Sequence, residues 1–163
     1  MIRFGILTLS DRSSRGERED ASGPAVIDQV RAQGWVVAKQ QILPDEESAI
    51  CATLAEWADS GEVDIILTTG STGLAPRDVA PQATRVVIER DVPGLAEAMR
   101  AESLKKTSHA MLSRAVAGIR GRTLIVNLPG SPKGALENLQ TILPVLPHAV
   151  QLLNDDPSSE RSH

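Results

Sequence analysis

The sequence predicts an α/β domain in which three layers (αβα) surround a mostly parallel sheet. Apolar runs at residues 4–9, 65–67 and 123–128 are each followed by a polar or glycine-containing turn. Such runs are typical of strands buried on both faces of a parallel sheet, and their alternation with helices indicates the α/β class. With 163 residues and 41% hydrophobic content, the chain suits one core. We therefore expect one domain over residues 1–154 and a disordered polar tail over residues 155–163.

Turn and capping residues divide the rest of the chain into elements. Proline and glycine interrupt regular structure, whereas Ser, Asp or Pro at a helix start is favourable. Residues 35–43 mix β-branched with polar side chains, which favours a strand near the sheet edge, and residues 110–120 fit a strand or a helix. The other expected elements are a loop at 12–20 and helices from Ser22 to Gly34, Pro44 to near Gly61, Pro81 to about Arg90, Pro93 to Lys106, and about Ala135 onward, the last interrupted near Pro144 and Pro147.

Composition and charge exclude several classes of function. A formal charge of −4, a pI near 5.4, and only two Trp, one Phe and no Tyr disfavour binding to nucleic acid. Cys51 is the single cysteine, so neither an intramolecular disulfide nor a thiolate metal cluster is available. The chain shows no signal-peptide pattern and no apolar run of membrane-spanning length. We expect a cytoplasmic protein that does not interact with a membrane.

The loop from Gly70 to Asp78 follows a buried strand and precedes a helix, which is a favourable position for a phosphate. Gly70 and Gly73 allow a tight turn, and Ser71 and Thr72 add hydroxyl groups. Arg77 suits a phosphate, and Asp78 suits a metal ion or a positioned proton. In the alternative reading, Arg77 and Asp78 simply pair with each other. Neither the Walker nor the Rossmann glycine pattern is present.

Two further loops are predicted to meet this one at the carboxyl edge of the sheet. Asp11 follows the first strand, and the stretch Asn127, Pro129, Gly130, Ser131 to Lys133 ends the strand at 123–128. Because ligands of parallel sheets bind outside the carboxyl strand ends, these residues are candidate ligand contacts. Asp11 could instead be a turn or capping residue. Asp45 could equally be the N-cap of the helix that begins after Pro44.

Several longer motifs together resemble the molybdopterin adenylyltransferase family, and most closely the G domain of gephyrin and of its plant counterpart. The resemblance extends from residue 3 to about residue 154. It rests on Leu-Pro-Asp-Glu (43–46), Thr-Thr-Gly-Ser-Thr-Gly-Leu-Ala-Pro-Arg-Asp-Val-Ala-Pro-Gln-Ala-Thr (68–84), Met-Leu-Ser-Arg (111–114), Gly-Ile-Arg-Gly-Arg-Thr-Leu-Ile-Val-Asn-Leu-Pro-Gly-Ser (118–131) and Leu-Pro-His-Ala (146–149).

The resemblance implies transfer of AMP from ATP to the terminal phosphate of molybdopterin, with release of pyrophosphate and a requirement for Mg²⁺. Asp45 and Asp78 match the two essential acids of the family, which makes them the expected catalytic and magnesium-binding residues. Ser113, which together with Arg114 carries no functional signal of its own, matches a serine associated with molybdopterin binding. A homotrimer and a separate molybdenum insertase partner are implied as well.

The chain departs from the family pattern at three positions. Ser71 replaces a glycine, Ala80 a threonine and Gln82 a glutamate. Ser71 could restrict the loop or donate to a phosphate, and Ala80 removes a favourable N-cap, a loss of about 1 kcal/mol unless Asp78 caps the helix instead.

Two other functions remain open from the sequence. A non-catalytic molybdopterin-binding or scaffold relative is one alternative, although retention of Asp45 and Asp78 argues against it. A phosphoribosyltransferase is the other, because Thr-Gly-Ser-Thr-Gly resembles its phosphate loop. That class would require acidic residues before the loop, where this chain has Ile66-Leu67-Thr68-Thr69.

Overall fold

The computed structural model describes residues 1–156 and contains one six-stranded sheet. The strands are β1 (Arg3–Leu9), β2 (Val36–Leu43), β3 (Ile65–Thr69), β4 (Arg90–Asp91), β5 (Ala117–Arg120) and β6 (Thr123–Leu128). Their order is β2-β1-β3-β6-β5-β4. The first four in this order pair in parallel, and β5 runs antiparallel to both of its neighbours. The expected mostly parallel sheet, with residues 36–43 at its edge, is confirmed.

Helices cover both faces of this sheet. They are α1 (Asp11–Ser14), α2 (Ser22–Ala32), α3 (Glu47–Asp59), α4 (Ala80–Val87), α5 (Pro93–Leu104), α6 (Pro132–Ile142) and α7 (Leu146–Leu153), with 3₁₀ turns at Ser108–Leu112 and Leu143–Val145. One buried apolar cluster includes residues of α2, α5, α6 and α7, and the other includes residues of α3 and α4. These two clusters establish the three-layer αβα fold. Within residues 1–156, no helix has the length and hydropathy needed to cross a membrane.

The side chains of β1 alternate between the two clusters, as a strand buried on both faces requires. Phe4 and Ile6 belong to one cluster, and Leu7 and Leu9 belong to the other. Gly5 faces the second side, where a Cβ atom would lie 2.7 Å from Cε3 of Trp57. The absence of a side chain at Gly5 therefore lets α3 pack its tryptophan directly against the central strands.

Four element boundaries differ from the sequence expectations. Residues 11–14 form one helical turn rather than a loop, because the Ser10 hydroxyl accepts the Ser13 N–H and caps it. Helix α4 ends at Val87 instead of near Arg90, since the Glu89 N–H bonds to the Ile119 carbonyl and draws the chain into the sheet. Residues 110–120 divide between a 3₁₀ turn and β5, and α6 begins at Pro132. The expectation of a disordered tail falls mostly on residues 157–163, which lie outside the described part of the chain.

Candidate active site

The loops after β1, β3 and β6 meet at the carboxyl edge of the sheet, as expected. They enclose a cavity of about 330 Å³ that contains two of the predicted acids and will be called the Asp45 cavity. The three loops approach one another closely at two glycines, since a Cβ atom on Gly70 would lie 2.5 Å from the Leu9 carbonyl oxygen and one on Gly130 would lie 3.3 Å from the Cα atom of Gly70. The residues lining this cavity include Ser10, Asp20, Asp45, Gly70, Ser71, Asp78, Gly130 and Ser131.

A second cavity, also of about 330 Å³, lies beside the first and shares Ser131 with it. It will be called the Ser113 cavity. Its lining is more apolar and comes mainly from the 3₁₀ turn at Ser108–Leu112, α5 and α6. Five predicted contacts line this second cavity, namely Thr72, Gly73, Ser113, Pro129 and the shared Ser131. The expected ligand contacts therefore divide between two adjoining spaces, which suits two substrates.

Asp45 is held by Asp11 and does not cap a helix. Helix α3 begins at Glu47 with Glu46 at its N-cap position, so the capping alternative for Asp45 is wrong. Asp45 Oδ2 instead accepts a 3.0 Å hydrogen bond from the Asp11 backbone N–H. The Asp45 N–H donates in return to Asp11 Oδ1 at 3.0 Å. The other Asp45 oxygen, Oδ1, is buried and has no hydrogen-bond partner within residues 1–156.

Arg77 pairs with Asp11 rather than with its neighbour Asp78, so that alternative is also wrong. Its Nε and Nη2 atoms donate to the two Asp11 carboxylate oxygens at 2.7 and 2.9 Å. This side-chain hydrogen bond is the main cause that lowers the pKa of Asp11 below its ordinary value, and it raises the pKa of Arg77. Within the described chain neither residue lines the two cavities. Asp11, itself bound by Arg77, therefore holds Asp45 in place from a position outside both cavities.

Ser71 supports the helix that follows the Gly70 loop. Its φ of 61° lies in the left-handed region, which is unfavourable for residues other than glycine. Its hydroxyl accepts the Val79 N–H at 2.9 Å, and its carbonyl accepts the Ala80 N–H at 3.0 Å. Two N–H groups at the start of α4 are satisfied in this way, so neither Ala80 nor Asp78 provides the cap considered from the sequence.

Asp78 lines the Asp45 cavity from a tight turn. Its Oδ2 atom accepts the Ala75 N–H at 3.1 Å, and its own N–H bonds to the Ala75 carbonyl at 2.9 Å. Gly73 lies close by, since a Cβ atom there would lie 2.8 Å from Asp78 Oδ2. The backbone of the loop thus determines where this carboxylate stands.

Asn127 does not join the other predicted contacts. It is 0% exposed, and its amide nitrogen donates to Thr68 Oγ1 at 3.0 Å and to Thr84 Oγ1 at 2.9 Å. Its Oδ1 accepts the Val116 N–H at 3.2 Å. The expectation that this side chain contacts a substrate gives way to a supporting role, because its hydrogen-bonding groups are taken by Val116 just before β5, by Thr68 in β3 and by Thr84 in α4.

Two residues of the site carried no functional signal in the sequence reasoning. Asp20 lines the Asp45 cavity, while its carboxylate accepts from Thr8 Oγ1 at 2.8 Å and from the Gly23 N–H at 3.0 Å. The sequence feature that could have pointed to Asp20 is its position just before the helix start at Ser22-Gly23-Pro24. Arg114 donates to the Gly73 carbonyl at 2.8 Å and to the Asp78 carbonyl at 2.6 Å. No sequence signal indicated that Arg114 contacts the loop of residues 70–78.

The family model described as "probable molybdopterin binding domain" matches residues 5–148 of this chain. The chain belongs to this family. Because the chain belongs to this family, we do not retain the hypothesis that it is a phosphoribosyltransferase.

Two related proteins and one solved structure illustrate the similarity. The chain is 47% identical to the molybdenum cofactor synthesis protein cinnamon of Drosophila melanogaster over 98% of its own length, but it spans only 27% of that protein. It is 41% identical to a molybdopterin adenylyltransferase of Helicobacter pylori, covering 93% of this chain and 88% of the relative. The crystal structure of the molybdopterin biosynthesis enzyme MoaB from Thermus thermophilus superimposes with a TM-score of 0.90 at 54% identity, covering 96% and 99% of the two chains.

The two acids of the Asp45 cavity fit a magnesium ion that is bound partly by the protein and partly by a substrate. Within residues 1–156, no group of three or more His, Cys, Asp or Glu side chains is arranged to hold a metal. Magnesium is commonly bound through only one or two carboxylates, together with waters and substrate phosphates. Asp45 and Asp78 line one cavity, and Asp45 Oδ1, which is buried and has no hydrogen-bond partner in the part of the chain that the structure describes, is a suitable ligand.

Proposed function

We propose that this chain is a molybdopterin adenylyltransferase, which transfers AMP from ATP to the terminal phosphate of molybdopterin and releases pyrophosphate. The observation that carries the proposal is the pair of adjoining cavities with two acids, Asp45 and Asp78, on the wall of one of them. The Helicobacter pylori relative, which bears this name, aligns over 93% of the chain and supports the same activity.

The properties of the two cavities suggest which substrate each receives. The Asp45 cavity combines acids with the close-packed backbones of Gly70 and Gly130, an arrangement in which phosphates and a bound cation can approach the main chain. The Ser113 cavity has a more apolar lining and suits the pterin ring. In this arrangement Ser131, which lines both cavities, lies beside the phosphates that react.

The reaction joins two anions. A terminal phosphate oxygen of molybdopterin attacks the α-phosphorus of ATP, the bond from that phosphorus to the bridging oxygen of the β-phosphate breaks, and pyrophosphate leaves with the bonding electrons. Catalysis of such a transfer consists mainly of positioning and of neutralising charge. In this proposal Asp45 and Asp78 would hold Mg²⁺, which when bound would neutralise negative charge on the phosphate oxygens. Asp11 and Arg77 keep Asp45 oriented, and the glycines of the loop admit the phosphates.

Other properties of the protein are proposed from the family resemblance. We infer a homotrimer, a cytoplasmic location, a single functional domain over residues 1–154, and a separate insertase that receives the adenylylated product. Light scattering at micromolar concentration tests the assembly. A mass of three chains is expected, and a monomer at all concentrations would contradict it.

The activity is tested with purified protein, molybdopterin, ATP and Mg²⁺. Pyrophosphate and adenylylated pterin should form in equal amounts, and omission of the pterin or of Mg²⁺ should abolish both. If the complete mixture releases no more pyrophosphate than the mixture without pterin, the enzyme proposal fails. Binding of molybdopterin without turnover would then favour a non-catalytic member of the family.

A further inference from the structure

Arg114 joins the segment beside the Ser113 cavity to the loop that carries Asp78. Its backbone N–H donates to the Thr72 carbonyl at 2.9 Å. Its guanidinium donates to the Gly73 carbonyl through Nε at 2.8 Å and to the Asp78 carbonyl through Nη2 at 2.6 Å. One residue therefore fixes both ends of the loop between Thr72 and Asp78.

The guanidinium of Arg114 donates its hydrogen bonds to carbonyl oxygens. Its third donor, Nη1, contacts Gln82 Oε1 on α4 at 3.2 Å. Within the described chain, no salt bridge joins Arg114 to a carboxylate. A planar guanidinium holds two carbonyls in a fixed relative position because its donors lie on separate nitrogens, whereas the three donors of a lysine ammonium rotate about one nitrogen and impose no such geometry.

The Asp78 carboxylate depends on this arrangement because, within residues 1–156, its own hydrogen bond is local. Oδ2 accepts the N–H of Ala75, which belongs to the same loop and moves with it. The loop is connected to the rest of the fold at three places: the Asp78 carbonyl, held by Arg114; the Arg77 guanidinium, bound to Asp11; and Ser71, which holds Val79 and Ala80. Of these, the Arg114 bond is the one made to the backbone of Asp78 itself.

We propose that Arg114 is a positioning residue that sets the location of Asp78 in the Asp45 cavity. The catalytic part of this inference rests on the proposed adenylyl transfer. Since Ser113 lines the adjoining cavity and precedes Arg114 directly, the same residue links the segment beside the pterin site to the acid at the phosphate site.

The test compares Arg114→Lys with wild-type protein and with a matched control, Arg120→Lys. Arg120 also donates to a carbonyl, that of Val87 at 3.0 Å, and it pairs with Asp59 away from both cavities. Amide hydrogen exchange of residues 71–80 should accelerate in Arg114→Lys and stay at the wild-type rate in Arg120→Lys. Unchanged exchange of this segment in a folded Arg114→Lys would overturn the proposal, whether or not the protein is an adenylyltransferase.

Kinetics provide the second measurement. Hydrogen bonds from a charged donor are worth enough that kcat should fall about tenfold or more in Arg114→Lys, with the KM for molybdopterin within about twofold of wild type. In an Asp78→Asn background the same change should cause no further loss, because Arg114 acts through Asp78. Additive losses would show that Arg114 acts elsewhere.

Separate outcomes identify which proposal fails. Absence of turnover by the wild-type protein overturns the proposed function, and hydrogen exchange then decides the positioning proposal by itself. If Arg114→Lys does not fold, Arg114→Gln takes its place, because a single amide NH₂ cannot hold both the Gly73 and the Asp78 carbonyls as the guanidinium does. Faster exchange of residues 71–80 in Arg114→Gln would support the positioning role, and exchange at the wild-type rate would contradict it.

Discussion

Asp11 and Asp45 each accept a hydrogen bond from the backbone N–H of the other residue, and both bonds are 3.0 Å long. This exchange connects the residue that begins α1 to the turn before α3, and among the described residues Asp45 Oδ1 has no hydrogen-bond partner although it is buried. Two carboxylates near each other would ordinarily repel. Here Arg77 binds both Asp11 oxygens, so the pair carries one compensating positive charge.

The first prediction concerns Asp11 as the support of Asp45. Asp11→Ala removes the acceptor of the Asp45 N–H and the partner of Arg77, so kcat should fall at least about tenfold. Asp11→Asn keeps one acceptor and should lose less activity. Asp59→Ala is the control, since Asp59 forms a comparable two-point contact with Arg120 away from the site. Wild-type turnover by Asp11→Ala would show that Asp45 needs no support.

A second prediction concerns the dependence of stability on pH through Asp64. Burial by itself would raise the pKa of Asp64, but hydrogen bonds from the side chain and backbone of Arg3 outweigh it, and the pKa is lowered from its ordinary value of 3.8. Because the folded state favours the ionised form, the contribution is complete above the unfolded pKa and disappears as the pH falls through the lower folded pKa.

Urea unfolding of wild-type protein and Asp64→Asn measures this effect. The variant should be less stable at neutral pH, and the difference between the two free energies of unfolding should shrink as the pH falls below 3.8. A difference that stays constant across this range would contradict the assigned role of the Arg3–Asp64 pair.

The third prediction separates strain from capping at Ser71. Ser71→Gly relieves a left-handed backbone that costs about 1–2 kcal/mol in other residues, but it loses a hydroxyl cap worth about 1 kcal/mol. Ser71→Ala loses the cap and keeps the strain. Thermal unfolding should therefore place Ser71→Gly close to wild type and Ser71→Ala about 1 kcal/mol lower in stability. Equal stability of the two variants would contradict this division.

Gly73→Ala is the fourth prediction. The backbone at Gly73 lies outside the left-handed region, so alanine is allowed there, but its Cβ would lie 2.8 Å from Asp78 Oδ2. The carboxylate must then move by a few tenths of an ångström or more. Turnover should fall while the melting temperature changes little. A large loss of stability with the specific activity of the folded fraction unchanged would contradict the interpretation that Gly73 makes room for Asp78.

The sequence indicated the strands and the three converging loops because apolar runs and glycine turns are local signals. Asp78 was already a candidate from its position in the glycine loop, whereas Asp45 was recognised only through longer motifs, since an aspartate after a proline is also a common helix cap. Local patterns could not show that Asp11 accepts the Asp45 N–H or that Arg77 forms its ion pair with Asp11 rather than with Asp78. These contacts join residues distant in the chain.

Arg114 and Asn127 show two ways in which local sequence patterns fail to identify site residues: Arg114 was missed, and Asn127 was wrongly included. Arg114 belongs to the site through carbonyl groups some 40 residues away, and carbonyl positions leave no mark in a sequence. Asn127 follows the expected pattern of a polar residue near the end of a strand, yet it lies within the sheet and donates to Thr68 and Thr84. The direction of a side chain at a strand end depends on its neighbours in the fold.

In the proposed adenylyl transfer, Asp45 and Asp78 act through their negative charges. Asn can still accept the Asp11 N–H at position 45 and the Ala75 N–H at position 78, so the free energy of unfolding should change by no more than about 1 kcal/mol in either variant. Binding of molybdopterin in the Ser113 cavity should persist.

The most direct measurement is the rate of pyrophosphate release by Asp45→Asn, Asp78→Asn and wild-type protein, each with saturating molybdopterin, ATP and Mg²⁺. We predict that both variants lose most turnover while they stay folded and bind the pterin. Near-wild-type release by either variant would contradict the role assigned to that aspartate.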